Sequence, residues 1–271
     1  MVEITEKEFK KLADYIQLNY GIFLKDEKQS LLNARLAKVV EQHNFKSFSE
    51  YYNYVVSDAS GLATSILIDK VTTNYTYFMR EPDHFKYMEG VALPYFERKI
   101  TDYDLRVWSA GCSTGEEPYT IAIVLEEYFK GKKEWDKKIL ATDISTQVLE
   151  VAKKGYYDVK QIELIPPIWK LNYFNKLSND VFAVNDSIKR EVIFRRLNLV
   201  KNFSFQFRKK FHIIFCRNVM IYFDKKTRDA LVNNFYDMTE TGGYLFIGHT
   251  ESLDREASKY KYVAPAIYRK V

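Results

Sequence analysis

Five short strand-like segments, each with a glycine or a polar residue at or next to its end, constrain this 271-residue chain more than any other feature. They are LRVWSAG (105–111), ILATDIS (139–145), VIFRRLNL (192–199), FHIIFCRN (211–218) and GGYLFIGH (242–249). Helical patterns follow from Glu116 to Phe129, from Ser145 to about Lys154, and near 224–240. Strands alternating with helices of this length predict an α/β fold built on a parallel, doubly wound sheet. The closing KYVAPAIYRK adds an antiparallel edge strand, because Pro265 is tolerated in a sheet only at an edge or a bulge. Residues 166–190 break the rhythm: they are polar and aromatic, carry the strand candidate DVFAV, and read as an insertion.

The first part of the chain has a different period. Thr5 and Glu8 have capping-box spacing, and Phe9, Leu12, Ala13 and Ile16 then share one helical face. Gly21 falls at a helix end, a second helix covers Lys28–His43, Ser47 and Glu50 repeat the capping box, and a fourth helix follows Gly61. The expected organisation is a small all-α domain over 1–70, a linker with a helix over 71–100, and the α/β domain over 101–271.

Composition narrows the function. The 41 basic against 36 acidic residues leave +5, too balanced for a dedicated nucleic-acid binder. There is no apolar run of about 18 residues, and MVEITEKEFKK has no signal-peptide core. A cytoplasmic protein without membrane insertion is expected. Two cysteines, Cys112 and Cys216, support neither a disulfide framework nor a structural zinc site. The aromatic share is high, at 16%.

In doubly wound sheets ligands bind at the carboxyl ends of the strands, where strand order reverses. The loop after the first strand is SAGCSTGEEPY (109–119). Gly111 and Gly115 permit close backbone approach of a ligand, or simply a tight turn. Glu116 and Glu117 stand where a phosphate-binding loop needs positive potential. Either they complement the helix dipole, or the ligand is cationic and lacks phosphate, as S-adenosylmethionine does. Asp143 ends the second strand, where a carboxylate can accept from ribose hydroxyls or cap the next helix. Asn198 and Asn218 end the next two strands, as amide donors to an adenine edge or as turn residues.

TTNYTYFMRE (72–81), VWSAGCSTGEEPYTIAI (107–123), ATDIS (141–145), FCRNVMIYFD (215–224) and GHTESL (248–253) together resemble the CheR-type chemotaxis methyltransferases. Those are S-adenosylmethionine-dependent protein-glutamate O-methyltransferases. The resemblance spans nearly the whole chain and implies a Rossmann-like methyltransferase domain with a small inserted β subdomain, preceded by the all-α domain. It implies cofactor contacts at Asn74, Thr76, Arg80, Glu116, Asp143, Asn198, Leu199, Asn218 and Val219, and no metal. Arg80 would grip a carboxylate bidentately, that of the cofactor rather than of the substrate. Tyr222 would line the substrate entrance; Arg80 and Tyr222 are thus positioning groups.

A glutamate side chain is ionised at neutral pH, so attack on a sulfonium methyl needs no general base. His43, His84, His212 and His249 are assigned no catalytic role, and Cys112 is read as a packing residue. A base-amine methyltransferase is disfavoured, because Asn218-Val219-Met220-Ile221 lacks the prolines of its motif. The implied product is a glutamyl methyl ester with S-adenosylhomocysteine, serving sensory adaptation. The implied partner is the cytoplasmic helical region of chemoreceptors, met by Lys28, Arg35 and Lys38 on the second helix. The insertion has no glycine-rich loop, so independence of a receptor C-terminal pentapeptide is expected; a monomer is expected as well.

Overall fold

A computed structural model describes residues 2–201, 203, 207–254 and 256–271. The chain forms two compact units, Met1–Thr73 with Tyr222–Arg228, and Asn74–Ile221 with Asp229–Val271.

The first unit packs α1 (Glu6–Tyr20), α2 (Gln29–Gln42), α3 (Phe48–Ser57) and α4 (Leu62–Val71) around Phe9, Leu12, Ile16, Leu36, Val40, Phe48, Tyr51 and Leu67. Their ends follow from the sequence. Glu8 N donates to Thr5 Oγ1 while Thr5 N donates to Glu8 Oε2, a reciprocal cap of α1. Gly21 closes the same helix at φ 70°. Ser47 caps α3 by accepting from Glu50 N. Residues 222–228 complete this unit: Phe23 N donates to Tyr222 O, and Gln17 Nε2 donates to Asp224 Oδ2.

The second unit is built on a seven-stranded sheet. Its strands are β1 (Val107–Ala110), β2 (Ile139–Asp143), β6 (Val192–Arg196), β7 (Phe211–Cys216), β8 (Thr239–Ile247), β9 (Lys261–Ala264) and β10 (Ile267–Arg269). The order is β6-β2-β1-β7-β8-β10-β9. Pairings from β6 to β8 are parallel, and β8–β10 and β10–β9 are antiparallel. The chain runs outward from β1 through β2 to β6 and then returns to the other side of β1, so strand order reverses between β1 and β7. The central strands β1 and β7 are buried on both faces, which is why they read as unbroken apolar runs, whereas the edge strand β6 alternates buried and exposed residues.

Helices α7 (Glu116–Tyr128), α8 (Thr146–Lys154) and α11 (Lys225–Met238) follow β1, β2 and β7. A helical stretch over 82–99 (α5 Pro82–Tyr87, α6 Leu93–Lys99) widens to five-residue turns at Met88–Ala92. The single expected C-terminal edge strand is in fact a hairpin: Pro265 and Ala266 make the turn, β10 pairs inward with β8, and β9 is the edge. The inserted sheet is β3-β5-β4. It draws β4 (Phe174–Lys176) and β5 (Val181–Val184) from the expected insertion but takes β3 (Tyr156–Asp158) from just after α8. The remaining short helices α9 (Pro167–Tyr173) and α10 (Asp186–Lys189) precede β4 and follow β5 in sequence. No helix among the described residues is long and apolar enough to cross a membrane.

Candidate functional site

The strand ends beside the reversal point hold the polar groups of interest. After β1 the chain turns through Gly111–Gly115, and Gly111 N and Cys112 N both donate to Thr142 O on β2. Gly111 lies at φ 92°, and a Cβ there would run into Val219 Cγ2, so only glycine lets the loops after β1 and β7 approach this closely. Gly115, at φ 100°, starts α7; a Cβ there would sit 2.9 Å from Ala152 Cβ.

Three expected contact residues converge on this loop. Asp143 is buried and accepts from Ser113 N and Ser145 N, both at 2.9 Å. Ser145, not Asp143, caps α8 by accepting from Val148 N. Ser113 Oγ donates to Asn74 O at 2.8 Å, which ties the linker to the loop. Glu116 is 1% exposed, and its hydrogen-bond partners are neutral: the Thr114 hydroxyl at 2.7 Å and the Gln161 amide at 3.4 Å. Burial pushes its carboxyl above the ordinary glutamate value.

The other strand ends complete the set. Leu197 N donates to Asp143 O, bringing the chain after β6 alongside β2. Asn198 lies beyond β6, where its Oδ1 accepts from Val200 N, and Leu199 is buried. Asn218 has a left-handed backbone, φ 58°, and its N donates to Glu251 Oε2 at 2.9 Å. Its buried Oδ1 has no hydrogen-bond partner among the described residues. Glu251 also accepts from Gly248 N and Ile221 N. Burial raises its carboxyl pKa, against the opposing pull of these backbone donors.

Arg80, expected to grip a carboxylate, instead donates to Tyr75 O at 2.9 Å and lies 5.8 Å from the Tyr77 ring centre. Thr76 is half-buried on the same loop. Tyr222 belongs to the helical unit, where its hydroxyl donates to Thr73 O at 3.4 Å. Of the three basic residues expected to meet a partner, Lys28 and Lys38 are exposed. Arg35 is engaged differently: its Nη1 donates to Val71 O at 2.7 Å and its Nη2 to Thr73 Oγ1 at 3.1 Å, closing the end of α4.

Sequence reasoning missed the most buried cation among the described residues. Arg217, directly after β7, is 6% exposed. Its Nε donates to Glu117 Oε2 and its Nη1 to Arg80 O, both at 2.7 Å. Glu117 in turn accepts from Ser109 Oγ of β1. A charge closing the apolar run FHIIFC is the signal that was available, since a charge is buried only with a partner. Glu81, His84 and His249 bring potential ligand atoms within 4.8 Å of one another. The positive charge facing two of them is already Arg217, whose Nη1 lies 3.2 Å from His84 Nδ1 and 3.7 Å from Glu81 Oε2. Nδ1 accepts from that guanidinium, which leaves the imidazole proton on Nε2. Burial and the Arg217 charge lower His84 to about 3.

Residues 74–268 match the CheR methyltransferase SAM-binding domain, and residues 7–72 the CheR methyltransferase all-alpha domain. A chemotaxis protein methyltransferase of Borreliella burgdorferi is 42% identical over 99% of this chain and 96% of its own. A probable chemotaxis protein methyltransferase of Rhizobium etli is 35% identical, covering 92% and 97%. Chemotaxis protein methyltransferase 2 of Vibrio cholerae is 33% identical, covering 95% and 89%. With both domains matched and full-length relatives at this identity, the chain belongs to the CheR family and is an S-adenosylmethionine-dependent methyltransferase of chemotaxis.

Proposed function

We propose that the chain methylates glutamate side chains in the cytoplasmic helical region of chemoreceptors, forming glutamyl methyl esters and S-adenosylhomocysteine for sensory adaptation. The observation that carries this reading is Glu116, a buried carboxylate with only neutral hydrogen-bond partners. An ionised group in that setting is costly unless a cation joins it. The cofactor's ammonium and sulfonium fit, and the orphaned Asn218 Oδ1 suits a donor such as the adenine amine. Asp143, at the end of β2, suits ribose hydroxyls, with Asn198, Leu199 and Val219 flanking the base. Asn74, Thr76 and Arg80 complete the set from the linker that we place at 71–100, between a helical domain over 1–70 and the catalytic domain over 101–271.

When bound, the cofactor supplies an electrophilic methyl. The protein needs to supply alignment rather than proton transfer, because the substrate carboxylate is already ionised at neutral pH. Holding it in line and excluding water is worth up to roughly 7–11 kcal/mol in favourable cases. Arg80 is proposed to turn from Tyr75 O to the cofactor carboxylate, and Tyr222 to orient the substrate. Lys28 and Lys38 are the basic side chains we assign to receptor docking, by a monomer that needs no receptor C-terminal pentapeptide. Tight, saturable binding of tail peptides overturns that last point.

Incubation with methyl-labelled cofactor and receptor-containing membranes tests the whole reading. Label released as methanol by mild alkali is expected; alkali-resistant label, or label in nucleic acid, overturns it. Asp143→Ala is expected to weaken cofactor binding about 100-fold, the loss of roughly two charge-assisted hydrogen bonds; unchanged affinity by calorimetry removes Asp143 from the site.

A further inference from the structure

Arg217 touches three of the segments proposed to contact cofactor, without standing among the proposed contacts itself. Its Nε bonds Glu117, next in the chain to Glu116 on the first turn of α7. Its Nη1 bonds the carbonyl of Arg80, between Met79 and Glu81, whose backbones are both left-handed at φ 61° and 54°. Its own main chain leads into Asn218, also left-handed. The guanidinium lies 5.2 Å from the Phe85 ring centre and 5.9 Å from that of Phe215, so aromatic faces wall it from water. Non-glycine residues in left-handed conformation are held there by their surroundings. Here the hydrogen bond to Arg80 O falls inside that strained turn.

We propose that Arg217 is a positioning residue: one buried guanidinium, paired with Glu117, sets the mutual register of the 74–81 linker, the Glu116 turn and the Asn218 turn. This rests on the proposed assignment of those segments as cofactor contacts. The shape of the group matters as well as its charge. A guanidinium offers five N–H donors in a fixed planar fork and reaches Glu117 and Arg80 O at once. A lysine carries the same charge on a single nitrogen and keeps the ion pair while releasing the Arg80 carbonyl.

The test is calorimetric binding of S-adenosylhomocysteine to the full chain and to R217K, R217Q, E117Q and the R217Q/E117Q double variant. Folding is checked by circular dichroism and urea unfolding. R217K is expected to bind at least 10-fold more weakly and to raise the KM for cofactor, with the receptor concentration at half-maximal rate unchanged. A purely structural defect would move both. The double variant is expected to lose less than the product of an R217Q and an E117Q loss, because the two act as one unit. R217K binding within twofold of the wild type, or a double variant matching that product, overturns the proposal. Should R217K not fold, E117Q carries the same test, with the same 10-fold expectation. E116Q and D143A distinguish the two levels. If both bind as wild type, the contact assignment fails and the positioning role falls with it. If they weaken while R217K does not, the positioning role alone is wrong.

Discussion

Four carboxylates, two in each unit, are treated in opposite ways. In the helical unit, Glu8 accepts from the amides of Thr5 and Ser49, and Asp58 from those of Ser60 and Ala63; both are held below the ordinary carboxylate range by these bonds. At the strand ends of the sheet unit, Glu116 and Glu251 are pushed above it by burial. The group is the same and the environment differs: half-buried acids that accept several hydrogen bonds at helix and loop ends favour the charged form, whereas acids whose burial outweighs their donors oppose it. The first arrangement strengthens folding at neutral pH. The second weakens it, and a site that tolerates such a penalty is where a cationic ligand recovers it.

The largest expected effect tests whether the two units answer separately. Leu36 is fully buried in the helical core, and Leu36→Ala should destabilise that unit by about 3–4 kcal/mol through lost burial and the cavity left behind. Urea unfolding followed in that unit should show the loss, while S-adenosylhomocysteine affinity stays within twofold. A tenfold fall in affinity would break the comparison.

Next comes pH. His84 and His212, both in the sheet unit, are lowered to about 3 and about 4, mainly by burial. A folded-state value below the ordinary 6.5 means the unfolded chain binds the extra proton. The stability they contribute is therefore full above pH 6.5 and is lost as pH falls through 6.5 toward those values, at up to about 1.4 kcal/mol per pH unit for each histidine. Their C2 proton shifts in the folded protein should stay flat down to pH 5. Titration near 6.5 would show that burial does not hold them neutral. Glu116 and Glu251 work in the other direction, since a raised carboxyl contributes stability below 4.5 that is lost as pH rises through the folded value.

Glu116→Gln sharpens the contrast at a single position. Removing a buried charge whose partners are neutral should raise the stability of the free protein by about 1 kcal/mol at pH 7 and weaken S-adenosylmethionine binding roughly 10-fold. The matched pair of urea and calorimetric titrations measures both. A variant that loses stability as well as affinity would place Glu116 with the structural acids.

Much of this was legible in the sequence, for physical reasons that differ by residue. Helix caps announce themselves within three or four residues: Thr5–Glu8 forms the expected capping box, while at Ser47–Glu50 only the Ser47 half forms and Glu50 Oε2 accepts from Lys46 N instead. The central strands β1 and β7 show as apolar runs because both faces are covered. The C-terminal hairpin was hidden because Pro265 marks equally an edge or a turn. The contacts of Arg35 left no mark in the local pattern, and for Arg217 the pattern showed only a charge closing an apolar run, not its partners. Each is a cation whose partners lie far along the chain, at Val71 and Thr73 in one case and at Glu117 and Arg80 in the other. Charge complementarity at that sequence distance leaves no periodic trace.

The smallest expected effect completes the comparison from the helical side. Thr5→Ala removes the oxygen that accepts from Glu8 N and frees the Glu8 carboxylate from one of its donors. Losses at such caps are about 1 kcal/mol. The Glu8 carboxyl is lowered in the folded state, so its contribution is present above 4.5 and is lost as pH falls through the folded value. The penalty for Thr5→Ala should accordingly shrink in urea titrations taken at pH 3, where the reciprocal half of the cap is weakened in wild type as well. The gain from Glu116→Gln should vanish at the same pH for the opposite reason, because there the buried carboxyl is already neutral. Two glutamates, one closing a helix and one buried beside a loop, would then lose their effects together by different routes. A Thr5→Ala penalty independent of pH would mean that the hydroxyl alone caps α1 and that Glu8 contributes nothing to it.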